Sequence, residues 1–228
     1  MKQFFTIILF FLFAFNINAQ QLGQVSFSGG TNLSSFALIG SDGLLIRISA
    51  DGKIVEWGYE IQSERNVNYY APRLQPYMGR VDYFGSETDS VFRGKVKSIG
   101  SLFITYFNQY ETEAKIGKLK SIGNISMDYY SNYDDATFKG KLKFIGSSLI
   151  AYYSSFEDDG FKGKLKTVGN SAINYFSSFD DKNIKGKIKN IGGVNFQWYT
   201  SLDRAGYGSG LKSGIYRQNI NGVTYILQ

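Results

Sequence analysis

The chain has no cysteine and no histidine, and only two prolines. Without cysteine there is no disulfide framework, no thiolate zinc site and no cysteine nucleophile. Without histidine the commonest general base and metal ligand is missing, and the Ser-His-Asp triad with it. Sparse proline leaves no polyproline linker. No phosphate-cradling or dinucleotide fingerprint occurs. What the chain has in quantity is rings and glycine: 17 Tyr, 19 Phe and 26 Gly in 228 residues. That is the composition of a folded chain, long enough for one or two domains with a real core.

The start reads as a targeting segment. Lys2 precedes an apolar run from Phe4 to Phe15, followed by Asn16-Ile17-Asn18-Ala19. A basic start, a short apolar stretch and a small residue before the cut make a secretory signal pattern. This run of twelve residues falls short of the about 20 that span a bilayer. The expectation is cleavage after Ala19 and an exported protein, periplasmic, cell-surface or secreted. The segment carries one Lys and no acid, so the remainder holds 24 basic and 19 acidic residues, net +5. No later stretch reads as a transmembrane span.

An internal repeat dominates the rest. GKVKSIG begins at Gly94, GKLKSIG at Gly117, GKLKFIG at Gly140, GKLKTVG at Gly163 and GKIKNIG at Gly186, a period of 23 residues without insertion. A second element keeps the period: ITYF at Ile104, MDYY at Met127, IAYY at Ile150, INYF at Ile173 and FQWY at Phe196. VDYF at Val81 is in phase with it, and Gly210-Leu211-Lys212-Ser213 is a worn copy of the first element. The array therefore spans residues 81–213, after a signal segment 1–19 and an N-terminal β capping region 20–80, and before a C-terminal capping hairpin 214–228.

Each copy predicts two strands, Phe138–Ile145 and Ser148–Phe156 in the central one, rich in aromatic and aliphatic residues. The link Gly146-Ser147 suits a two-residue type II′ hairpin. The other link is acidic, and Asp158-Asp159-Gly160 suits a three-residue loop. The predicted fold is all-β: an antiparallel meander of 23-residue hairpin repeats forming one extended, twisted or curled sheet. A β-solenoid is the alternative. An outer-membrane barrel is disfavoured, because a lipid-facing band must be apolar. Pairing Ile145 with Ser148 and continuing in register puts Lys141, Lys143, Ile150, Tyr152 and Phe156 on one face. Phe138, Leu142, Ala151 and Tyr153 take the other, which is expected to be the better buried.

Before the array, Ser35–Ile39, Leu44–Ser49 and Lys53–Ile61 read as strands, and Arg65–Pro76, which holds both prolines, as a long loop. Gly52-Lys53-Ile54-Val55-Glu56-Trp57-Gly58 echoes the repeat. Asn221-Gly222 marks a hairpin turn near the end. The stretch Asp159-Gly160-Phe161-Lys162-Gly163-Lys164-Leu165 resembles a MORN repeat, which shares the period; here Leu stands for the family's Trp, and its central Gly pair is absent. The resemblance implies a hairpin scaffold that binds proteins or lipid head groups.

The candidate ligand-binding residues are ten lysines, Lys95, Lys97, Lys118, Lys120, Lys141, Lys143, Lys164, Lys166, Lys187 and Lys189, interleaved with Tyr106, Tyr129, Tyr152 and Tyr175. Such a ladder would bind an anionic glycan, lipid head groups or another envelope protein. Its plainer reading is a solvated lysine face and cross-strand ring packing. The acidic links Asp134-Asp135, Glu157-Asp158-Asp159 and Asp180-Asp181 have no calcium-loop spacing and read as turn chemistry. As identical copies they lack the two unlike carboxyl environments that glycoside hydrolysis needs. Glu56 and Glu60 are less repetitive, which keeps glycoside chemistry as a remote alternative. The expectation is a non-enzymatic, exported binding scaffold with no cofactor and no metal.

Overall fold

The computed structural model describes residues 21–40, 42–61, 73–86, 88–203 and 208–227. The signal segment and residues 65–72 of the expected loop lie outside them. The described residues are all-β. The strands are β1 (Gln21–Ser28), β2 (Asn32–Ile39), β3 (Leu45–Ile48), β4 (Ile54–Glu60), β5 (Leu74–Pro76), β6 (Val81–Tyr83), β7 (Val96–Ile99), β8 (Leu102–Tyr106), β9 (Leu119–Ile122), β10 (Ile125–Tyr129), β11 (Leu142–Ile145), β12 (Ser148–Tyr152), β13 (Leu165–Val168), β14 (Ser171–Tyr175), β15 (Ile188–Ile191), β16 (Val194–Asn195), β17 (Gln197–Trp198), β18 (Leu211–Ser213), β19 (Arg217–Ile220) and β20 (Val223–Leu227).

Strands β6 to β16 form one 11-stranded sheet in chain order, and β17 and β18 continue the repeat as a separate pair. Every pairing in this array is antiparallel, so the meander holds and the solenoid does not. Within a hairpin Ile145 pairs with Ser148. Between repeats Met127 pairs with Ile145. Gly146 has φ +57°, while Asn221 is the one non-glycine with positive φ among the described residues. Positive φ at the first turn residue only is the type II′ pattern. The Gly146 N–H also donates to Ser126 of the preceding repeat, 2.7 Å away.

The faces differ from the expected ones, and a bulge is the reason. Asp128 pairs with Phe144, but the next residue, Tyr129, pairs with Leu142, leaving Lys143 unpaired. Lys97, Lys120, Lys166 and Lys189 are skipped in the same way, and so is Lys212 between β17 and β18. An extra residue lets two residues three apart share a face. Leu142 and Ile145 therefore both point inward, together with Ile150 and Tyr152, and all four are buried. Ala151 and Phe144 lie on the half-exposed side instead. The echo in the N-terminal region has the same bulge, at Val55.

The acidic link is also longer than three residues. Between β12 and β13 it runs through 153–164. Phe161 and Lys162 donate backbone N–H groups to the Asp158 carbonyl, making one helical turn, while the Asp158 carboxylate accepts the Gly160 N–H. Asp is a good helix N-cap and a positive-φ glycine a good stop; Gly163 has φ +72°. The turn folds Phe161 back onto Tyr153, with ring centroids 4.7 Å apart. The strands are accordingly shorter than expected at this end.

A second sheet, in the order β19-β20-β1-β2-β3-β4-β5, covers the inner face of the array. The N-terminal strands and the C-terminal hairpin thus share one sheet, joined by the parallel pair β1–β20, and lie over a face of the array rather than at its end. Both sheets contribute to one core, including Phe27, Phe36 and Ile46 from the cover and Ile104, Leu142, Ile173 and Ile188 from the array. Burying each such side chain stabilises by about 1.5–3 kcal/mol. The Leu142 N–H donates to Ala50 and the Ile188 N–H to Gly30, so turns of the cover satisfy backbone groups on the array. Pro76, expected in a loop, ends β5 at the edge of the cover, where a missing N–H costs no ladder bond.

Candidate functional site

The ten lysines form two rows, not one ladder. Lys95, Lys118, Lys141, Lys164 and Lys187 are half-buried or buried. Each ammonium lies over a ring: Tyr106 at 5.0 Å, Tyr129 at 5.0 Å, Tyr152 at 5.0 Å, Tyr175 at 5.3 Å and Trp198 at 4.2 Å. Each also donates to a backbone carbonyl of the next repeat: Lys95 to Gly117, Lys118 to Gly140, Lys141 to Gly163 at 3.1 Å, Lys164 to Gly186 at 2.6 Å and Lys187 to Ser209 at 2.5 Å. This row staples each repeat to its successor. Desolvation pulls all five ammoniums below their ordinary pKa, Lys164 to about 8.

The rings under this row are core residues. Tyr129, Tyr152 and Tyr175 are buried, and burial pushes their phenols well above the usual range, that of Tyr106 to about 12. Tyr106, Tyr129 and Tyr175 donate to the carbonyls of Val96, Leu119 and Leu165, and the Trp198 indole donates to Ile188. Tyr152 breaks the series, its buried hydroxyl having no partner among the described residues. Tyr106, Tyr129, Tyr152 and Tyr175, candidates for ligand binding in the sequence, are therefore packing residues, as their plainer reading has it.

The second row, Lys97, Lys120, Lys143, Lys166 and Lys189, occupies the bulges on the opposite side. All are exposed except Lys143, which is half-exposed. Their rings are Phe84, Phe107, Tyr130, Tyr153 and Phe176, at 4.9–5.9 Å. Lys212 over Tyr199 is a sixth member, at 5.6 Å. Of these six rings only Tyr153 was assigned in the sequence, and to the face opposite the lysines, although each closes a repeat of the second element at the 23-residue period. Such pairs are worth about 0.5–1 kcal/mol at exposed sites. Lys166 and Lys212 also pair with Glu157 and Asp203.

The acidic links gather on one edge and bind one another. Asp135 accepts the Ser155 N–H and hydroxyl at 2.9 and 2.7 Å, Asp158 those of Ser178 at 2.8 Å each, and Asp181 those of Ser201. These bonds hold the Asp135 and Asp181 carboxyls below the usual range. At Asp158 burial works the other way, and the Gly160 and Ser178 bonds outweigh it. The two less repetitive glutamates are in ion pairs: Glu56 with Arg47, and Glu60 with Arg217 while Gln24 donates to it at 2.8 Å. Among the described residues no cluster of acids has the arrangement of a metal site, and no helix is long and apolar enough to cross a membrane.

Comparison with protein-family models, curated proteins and solved structures gives no match.

Proposed function

We propose that the protein is an exported, non-catalytic β-repeat scaffold that offers a binding or interaction surface in the cell envelope or extracellular space. The supporting observation is the stapled array: each step repeats one surface chemistry on a backbone fixed by lysine–carbonyl and aspartate–serine bonds. Repeat sheets of this kind give long surfaces suited to a repeating partner. Release of product from neutral or anionic glycans by the purified protein would contradict the non-catalytic part. An intact Met1 in mass spectra of the native protein would contradict export.

A second reading keeps polyanion binding, now confined to the bulge row, because four of those five lysines are exposed and the fifth, Lys143, is half-exposed. A Lys143→Glu plus Lys189→Glu variant tests it on a heparin column. Loss of salt-sensitive retention with unchanged melting supports it, since exposed charge contacts are screened by salt; equal retention rejects it.

A further inference from the structure

Five large side chains stand almost wholly in solvent at the acidic edge: Tyr110 at 86 % exposure, Tyr133 at 101 %, Phe156 at 95 %, Phe179 at 94 % and Leu202 at 94 %. They lie 23 residues apart, at the same place in five successive links. Their backbone is fixed on the N-terminal side. The Ser177 N–H and hydroxyl donate to Asp180 at 2.5 and 2.9 Å, and Ser178 is tied to Asp158 of the preceding link. Ser131 and Ser155 hold Tyr133 and Phe156 by the same two kinds of bond. A ring displayed on a pinned turn has little ordering cost left when something stacks on it.

The spacing and surroundings narrow the partner. Each copy contributes two strands, so neighbouring tips stand about 9–10 Å apart. Serine and aspartate lie between them, so each ring is a separate platform rather than part of a continuous apolar patch of the kind that forms a protein interface core. Links 108–116, 131–139, 154–162 and 177–185 hold nine acids against five lysines. That excess repels polyanions and anionic membranes, while carboxylates accept bonds from hydroxyls. An extended β-linked glycan turns the same ring face outward at every second sugar, a repeat close to two strand spacings.

Building on the scaffold reading, we propose that this edge binds a neutral, extended polysaccharide. Sugar rings stack on Tyr110, Tyr133, Phe156 and Phe179, and hydroxyls donate to the exposed carboxylates Asp159 and Asp180. Leu202 ends the row without a π face, giving four steps.

The test is native electrophoresis of the full chain through gels cast with hydroxyethylcellulose, mixed-linkage β-glucan, xylan or galactomannan, beside a heparin gel. At least one neutral gel should retard the protein. Phe156→Ala plus Phe179→Ala should weaken that interaction roughly tenfold or more and leave melting within about 2 °C, as for other exposed positions. If that pair perturbs folding, Tyr133→Ala provides the same comparison. No retardation in any neutral gel, or equal retardation of the variant, overturns the proposal. Retardation by heparin alone, lost in Lys143→Glu plus Lys189→Glu, overturns it while leaving the scaffold reading intact. Self-association in size-exclusion chromatography that the Phe variant abolishes, without glycan binding, assigns the row to a second copy and also overturns it.

Discussion

Lys141 and Lys143 lie two residues apart in one repeat, are both partly buried, and meet different partners. Lys141 is half-buried over Tyr152 and donates to Gly163 of the next repeat. Lys143 fills a bulge on the other side, over Tyr130. Strict alternation would give them one face; a single unpaired residue separates them. Repetition of a residue type along a chain is thus no guide to a repeated surface until the pairing is known. The same bulge in every copy turns half the lysines into structural staples and leaves the other half for solvent.

The contrast between faces is sharpest at Ile150 and Leu149. Ile150 is fully buried and Leu149 is 42 % exposed. Ile150→Ala should cost about 2–5 kcal/mol by leaving a cavity, and Leu149→Ala less than about 1 kcal/mol; denaturant melts of the two variants compare them. Equal losses would mean that the bulge is misplaced.

The lysine rows come next. Lys141→Glu places an acid among the Tyr152 ring and the Gly163 carbonyl, and should cost about 2 kcal/mol. Lys143→Glu should stay within about 0.5 kcal/mol. Thermal melting reads both. A joint Lys141→Glu, Lys143→Glu variant would therefore confuse binding with folding.

The acidic edge should show itself in acid. The folded pKa values of Asp135 and Asp181 are depressed, and that of Asp203 is about 2 through its bonds to Lys212 and Thr200. A depressed carboxyl favours the folded state above its unfolded pKa, near 4. Its contribution is then lost as pH falls from there through the folded values. Melting temperature should decline over that window, and more gently in an Asp135→Asn plus Asp181→Asn variant. Parallel curves would contradict the inter-repeat bonds.

The smallest contrast lies within the tyrosine row. Tyr129→Phe removes a buried hydrogen bond to Leu119 and should cost about 1 kcal/mol. Tyr152→Phe removes a hydroxyl with no partner among the described residues and should be neutral or stabilising. Equal costs would show that the Tyr152 hydroxyl is satisfied after all.

The 23-residue period, the Gly146-Ser147 hairpin and the Asn221-Gly222 turn were legible because turn glycines and tight spacing act locally. The face assignment was not. A bulge changes no residue type, and Lys143 looks the same in a bulge as in a regular strand. The helical turn at Asp158–Gly163 did carry a signal, an N-cap aspartate followed by a positive-φ glycine, but Phe161-Lys162 also suits a strand. β1 was missed although Val25-Ser26-Phe27-Ser28 alternates, because it follows directly on the segment read as a cleaved leader. That the two ends of the chain form one cover over the array depends on contacts such as Leu142 with Ala50, far apart in sequence and unmarked by any motif.

The division of the lysines is tested most directly by spectra of the lysine side-chain ammonium groups in nitrogen-labelled protein at mildly acidic pH. An ammonium that is sheltered and bonded to a carbonyl exchanges its protons with water slowly, whereas a solvated one exchanges too fast to be seen. The structure predicts slow signals from Lys95, Lys118, Lys141, Lys164 and Lys187, each lost on single substitution to Arg, and none from Lys97, Lys120, Lys143, Lys166 or Lys189. Slow signals from the second set, or from neither, would contradict the account.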